Sequence, residues 1–246
     1  MCRKILRLVY STINAILEIF QFKLCRLSTS FSQKGEDVFV EEILNLLGIT
    51  NPNYLDIGAN DPILLSNTYR FYLKGFRGVC VEPNPLLCAK FSKKRPKDVV
   101  LNMGATPDYE GILPFYKLSV DVLSTFIKKE AERVMSTDAS LSIEIMKIPV
   151  MPLKTILSKY LDNKVDFLSI DVEGSDLDLL TSLDFEDCRP AVICIETMDY
   201  MKPVWESYAG EVEKYMVKNG YRLYADTALN RIYYDLSRVN FKDKQD

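Results

Sequence analysis

The stretch Tyr54-Leu55-Asp56-Ile57-Gly58-Ala59-Asn60-Asp61-Pro62, together with Gly78-Val79-Cys80-Val81-Glu82-Pro83, decides the fold. Tyr54, Leu55 and Ile57 form a short apolar run between turn residues, the pattern of a strand buried in a parallel sheet. Gly58 permits the bend that ends the strand and leaves room for a ligand beside the main chain. Ser66 to Lys74 then reads as a helix, with Ser66 or Asn67 as N-cap and Gly75 as the stop. A second strand, Val79 to Val81, ends on Glu82. Strand, helix and strand make a βαβ unit.

An acidic residue at the end of the second strand of such a unit is placed to accept both hydroxyls of a ribose. The first loop, Asp56-x-Gly58-x-Asn60, lacks the three glycines of a pyrophosphate-binding turn. A nucleoside without phosphates fits better, and S-adenosylmethionine is the common cofactor of that kind. The competing reading makes Asp56 and Glu82 solvated loop acids.

A chain of 246 residues with 48% hydrophobic content has ample core for one large α/β domain, assigned to 31–246. Lys+Arg 31 against Asp+Glu 34 leaves a net charge of -3. No basic run is present, which argues against nucleic acid as a partner. The six cysteines contain no C-x-x-C pair, and Cys80 and Cys194 fall in apolar strands, pointing to reduced thiols in the cytoplasm. There is no histidine, so any acid–base chemistry must come from Asp, Glu, Lys, Tyr or Cys.

Residues 1–30 read as an amphipathic helical extension. Ile5 to Leu27 is mostly apolar, with Arg7, Ser11, Asn14, Glu18 and Gln21 in one narrow polar stripe and basic residues at both ends. Asn14 and Glu18 would sit near mid-membrane in a span, and no small-residue cleavage site follows. A helix lying on an anionic membrane fits, giving a peripheral location. So does a helix packed on its own domain or on a homodimer partner. The loop Phe31 to Asp37, ahead of a helix over 38–47, is placed to fold over a ligand, with Gln33 and Glu36 as cofactor contacts. On spacing alone it is equally a helix cap.

Beyond Glu82, Asn84 to Arg95 reads as a second crossover helix, Val99 to Leu101 as a third strand ending near Asn102 and Gly104, and Gly111 to Leu118 as an additional strand. The polar stretch 124–146 is read as a substrate-covering insertion. Val165-Asp166-Phe167-Leu168-Ser169-Ile170-Asp171-Val172-Glu173-Gly174 is the second dense stretch, a strand that delivers Asp171 and Glu173 to its carboxyl end. In an open α/β sheet that edge binds ligands. Ala191 to Ile195 ends the same way on Glu196, so three carboxylates can share one cleft. A helix over 204–218 and a hairpin of Tyr221 to Ala225 with Arg231 to Leu236 follow. Five parallel strands and an antiparallel hairpin match, in element order, the mostly parallel seven-stranded sheet of the Rossmann-like class I methyltransferases.

The chain resembles the FkbM family of S-adenosylmethionine-dependent methyltransferases between about Phe31 and Glu196. The resemblance is carried by Ser32-Gln33-x-Gly35-Glu36-Asp37, Asp56-x-Gly58-x-Asn60, Ser66-Asn67-Thr68, Phe71-Tyr72, Gly78 with Glu82-Pro83, Ser124-Thr125, Asp166 to Gly174, Arg189-Pro190 and Ile195-Glu196. It implies methylation of oxygen, on glycans or secondary-metabolite hydroxyls. It further implies that Asp56, Gly58 and Asn60 line the methionine end of the cofactor, Glu82 its ribose, and Asn102 the adenine, with Asp171 facing the sulfonium and the acceptor. Related sequences often have His where this chain has Asp61.

A sugar hydroxyl must lose its proton during attack, to a carboxylate or through coordination to a cation. Asp171, Glu173 and Asp61 are the candidate catalytic acids. Asp171 with Glu196 are the candidate ligands of a divalent cation such as Mg²⁺. Structural alternatives are a helix brace for Glu173 and a bond to the Ser32–Asp37 loop for Glu196. Two other functions use the same unit, a nucleotide-dependent oxidoreductase and a non-catalytic interaction domain. The missing glycines argue against the first, and the retained acids against the second.

Overall fold

A computed structural model describes residues 29–198 and 208–239. The expected N-terminal helix, and the start of the expected helix over 204–218, lie outside the described residues. Strand β1 (Tyr54–Ile57) is buried along its whole length between β2 (Gly78–Val81) and β7 (Phe167–Ile170), parallel to both. Its side chains alternate between two cores, as a strand in a sheet covered on both faces must. Leu55 and Ile57 join a cluster with Leu153, Ile156, Leu179 and Val212, whereas Tyr54 joins one with Val40, Ile43, Phe71 and Phe91. Helices α1 (Glu36–Leu46), α2 (Tyr69–Leu73) and α3 (Pro85–Lys94) therefore cover one face. The other face carries α5 (Leu153–Leu161), α6 (Asp176–Thr181) and α7 (Ala209–Lys218).

The main sheet has seven strands in the order β3-β2-β1-β7-β8-β10-β9. Here β3 is Val99–Leu101, β8 Val192–Glu196, β9 Tyr221–Asp226 and β10 Asn230–Asp235. Strands β1, β2, β3, β7 and β8 are parallel, and the β9–β10 hairpin returns antiparallel, with β10 beside β8. The order reverses next to β1, placing a crevice at the carboxyl ends of β1 and β7. This mixed α/β sheet is consistent with a Rossmann-like methyltransferase. Among the described residues no helix is long and apolar enough to cross a membrane.

A second sheet, β4-β6-β5, is inserted between β3 and α5. It consists of β4 (Gly104–Thr106), β5 (Gly111–Leu118) and β6 (Ile143–Pro152), with α4 (Lys128–Thr137) in the β5–β6 connection. The polar stretch 124–146 is thus only part of a larger cover that starts at Gly104. β6 escapes sequence reading because its first residues are exposed and show no clean alternation, and pairing with β5 alone makes them a strand. Helix α2 is shorter than Ser66 to Lys74. Ser66 Oγ accepts from the amides of Thr68 and Tyr69, closing a side-chain turn that postpones the helix.

Candidate functional site

The carboxyl ends of β1, β2 and β7 and the inserted sheet enclose a cavity of about 620 Å³, within the range of small-ligand sites. Gly58, at φ +79, opens the turn after β1, and a Cβ there would come 1.7 Å from the Asp171 carbonyl oxygen. The Asp171 amide meets the Ile57 carbonyl at 3.0 Å, so β1 and β7 end in contact and both Asp56 and Asp171 line one cavity. Asn60 bends the same loop through φ 49.

Glu82 lines the cavity from the end of β2 and is 3% exposed. Its Oε2 accepts from the Asn60 amide at 2.8 Å and its Oε1 from the Asn84 amide at 2.7 Å, which fixes the carboxylate plane and leaves further lone pairs on both oxygens. Burial pushes Glu82 up to about 7 against the pull of those amides. Asp56 is buried one strand away and accepts from Thr68 Oγ1 at 2.5 Å. Burial raises its pKa, while Thr68, Arg95 and Ser169 pull it back. The facing wall comes from Met103, just ahead of the inserted sheet, from Phe115 on β5, and from Asp121 and Phe126 in the connection that follows β5. Asp121 is oriented by the Asn84 side chain at 3.1 Å.

At the other end, Asp171, Glu173 and Glu196 each bring one carboxylate oxygen within 4.8 Å of the others. Asp171 and Glu173 line the cavity, and Glu196, 4% exposed, lies outside its lining and bonds to Asp171. All three acids are pushed above the ordinary carboxylate range, by burial first and then by one another or by Asp176. Each of the two carboxyls therefore favours its neutral form more than a free acid does, and the pair is suited to sharing a proton. Glu173 sits at φ 55, and its carbonyl accepts from Thr125 Oγ1 at 3.0 Å, tying this loop to the insertion.

The sequence matches the Methyltransferase FkbM domain over residues 56–223, more than half the chain. The chain belongs to the FkbM methyltransferase family. No curated protein matches it.

Of the residues expected to serve an FkbM site, Gln33, Asp56, Gly58, Asn60, Glu82, Asp171 and Glu173 line the cavity, and Glu196 stands directly behind Asp171. Three others are placed elsewhere. Asp61 accepts from the amides of Ile63 and Leu64 and pairs with Lys90 at 3.1 Å, so it caps a turn outside the cavity lining. Glu36 is fully buried, accepting from the Lys34 amide, Thr227 Oγ1 and Asn230 Nδ2, and joins α1 to the β9–β10 hairpin. Asn102 donates to the carbonyls of Glu82 and Pro83, bracing the turn after β2 rather than lining the cavity. The helix brace proposed for Glu173 belongs to Asp176, which accepts from the amides of Val172 and Gly174.

Sequence reasoning missed Asp121 and Arg95. Asp121 lies in an unpatterned link and carries no signal. Arg95 sits in the run Lys93-Lys94-Arg95-Pro96-Lys97-Asp98, which reads as a solvated face, yet Arg95 and Asp98 form a fully enclosed ion pair at 2.7 Å. The Arg95–Asp98 spacing of three residues, next to a proline that ends the helix, is the one hint available.

Proposed function

We propose that this FkbM-family chain transfers a methyl group from S-adenosylmethionine to a hydroxyl of a saccharide or a similar polyhydroxylated acceptor. The observation that carries this reading is the charge of the cavity. Among the described residues its lining includes Asp56, Glu82, Asp121, Asp171 and Glu173 and no lysine or arginine. Such a wall repels phosphates and suits a cationic nucleoside. That separates a sulfonium cofactor from a dinucleotide, whose pyrophosphate would find no cation there.

The residues present fit the cofactor. Glu82, held by two amides, has lone pairs for two ribose hydroxyls, and those donors would compensate a carboxylate whose burial otherwise favours its neutral form. Val81 and Met103 offer apolar surface beside it for a base. When bound, S-adenosylmethionine supplies an electrophilic methyl carbon. Asp171 would take the proton of the acceptor hydroxyl as that oxygen attacks, and the product thioether would leave as the neutral partner of the transferred methyl group. Glu196, whose carboxylate lies close behind Asp171, can share that proton, and Glu173 adds further carboxyl oxygens at the cavity wall, an arrangement suited to neighbouring hydroxyls of a sugar. A Mg²⁺ ion held by Asp171, Glu173 and Glu196 is the second way to assist that hydroxyl, and the 4.8 Å spacing favours keeping it in the test.

Calorimetric titration with S-adenosylmethionine, S-adenosylhomocysteine and NAD⁺, with and without Mg²⁺, tests the reading. Both adenosyl ligands bind, and Glu82→Ala weakens them by roughly tenfold or more. Binding of NAD⁺ instead would overturn the methyltransferase reading. A glycan screen then identifies the acceptor, and turnover abolished by a chelator would select the metal over the direct base.

A further inference from the structure

The triplet Ser66-Asn67-Thr68 is buried, with Thr68 at 0% exposure, and the reaction above assigns none of its side chains a task. Thr68 Oγ1 lies 3.0 Å from Arg95 Nη2 and 2.5 Å from Asp56 Oδ2. A guanidinium offers donors only, so the hydroxyl must accept from Arg95, and its single proton goes to Asp56. Asn67 repeats the device. Its Nδ2 lies 3.1 Å from Ser169 Oγ, which leaves the Ser169 proton free for Asp56, its cross-strand neighbour in the β1–β7 register. Ser66 Oγ receives Arg95 Nη1 at 3.3 Å, holding the guanidinium in register. Two relays thus converge on one carboxylate, and each requires that carboxylate to accept.

We propose that Thr68 and Asn67, backed by Arg95 and acting through the hydroxyls of Thr68 and Ser169, are positioning residues that hold Asp56 as an oriented anion to seat the ammonium group of the amino-acid end of the cofactor. The proposal rests on the cofactor reading above. Asp56 lines the cavity, whereas Arg95 does not, so the cation supports the anion without competing for the ligand. The charged groups around Asp56 among the described residues are mostly acids. Asp98, Glu82 and Asp171 are acids, and the Cys80 and Cys194 thiols are kept neutral by burial, leaving Arg95 as the cation that acts on Asp56. Each relay adds a hydrogen bond to the ionised form, and such charge-assisted bonds are the stronger kind.

The test titrates S-adenosylhomocysteine and 5′-methylthioadenosine into the wild-type protein, Thr68→Val, Thr68→Ser and Ser169→Ala. The second ligand has the same nucleoside and sulfur without the amino-acid end, ammonium and carboxylate together. Thr68→Val and Ser169→Ala each bind S-adenosylhomocysteine roughly tenfold more weakly, bind methylthioadenosine as before, and Thr68→Ser restores the wild-type values. Equal weakening of both ligands, or undiminished S-adenosylhomocysteine binding by both variants, overturns the proposal. A wild-type protein that binds neither ligand refutes the cofactor reading alone. In that case carboxyl-carbon NMR of Asp56 without ligand decides the relay: removal of the Thr68 hydroxyl raises the pH at which Asp56 protonates, and an unchanged titration refutes the relay.

Discussion

The two ends of the cavity hold the same kind of side chain in opposite circumstances. Asp56 and Glu82 are each supplied with fixed donors, the Thr68 hydroxyl backed by Arg95 for the first and two main-chain amides for the second. Asp171 and Glu196 are supplied chiefly with one another, and Glu173 stands beside them with Arg133 as the cation that acts on it. Neighbouring strands of one sheet thus deliver carboxylates of different character to one edge. The supplied pair suits binding of a cationic nucleoside, and the crowded trio suits holding and moving a proton. What separates them is the loop and helix packed behind each strand, not the acids themselves.

The sharpest break in this comparison is Asp171→Asn. If the crowded end moves the proton, turnover on the acceptor found by the screen falls by about 10²–10⁴-fold while S-adenosylhomocysteine affinity, read by calorimetry, changes far less. Equal losses in both would merge the two ends into one binding surface. At the supplied end, Arg95→Met removes the cation paired with the enclosed Asp98 and should cost about 3–5 kcal/mol in urea unfolding. A loss under about 1 kcal/mol would mean that Asp98 is solvated and the relay has no anchor.

The trio also sets a pH dependence. Each of its folded-state pKa values lies above the ordinary carboxylate range, so the folded chain binds more protons than the unfolded one. Its contribution to stability is therefore fully present below about pH 4 and is lost as pH rises through the raised values. Glu173→Gln removes one proton-demanding group, and its melting temperature should exceed that of the wild type by roughly 2–4 °C at pH 8, with little difference at pH 4. The reverse order would place a bound cation, rather than shared protons, among the three acids. Smallest is Asp61→Asn. Its partner Lys90 is half exposed, so the change stays within about 1 kcal/mol of the wild type and leaves ligand affinity unaltered. A marked loss of affinity would return Asp61 to the site.

Local pattern made most of the main sheet legible. The apolar runs at Tyr54–Ile57, Gly78–Val81 and Phe167–Ile170 are short, fully buried and closed by turn residues, and each ends beside an acid that reaches the cavity. The same pattern could not separate Asp56 from Asp61, because both are aspartates beside a glycine-bearing loop. One points into the cavity from β1, and the other closes its own turn. Nor could it separate Arg95 from Lys93 and Lys94, since burial of one member of a basic run depends on partners at Tyr54, Ser66 and Thr68, far away in the chain.

By itself the sequence determined the order of the main sheet's strands, the acids at strand ends and the absence of histidine from any mechanism, because these follow from residue type and short-range spacing. Only the tertiary structure decided which acids face one another, which are paired with donors, and how the inserted sheet closes the cavity. Those properties depend on desolvation and on contacts between segments remote in the chain, and no periodicity along the chain encodes them.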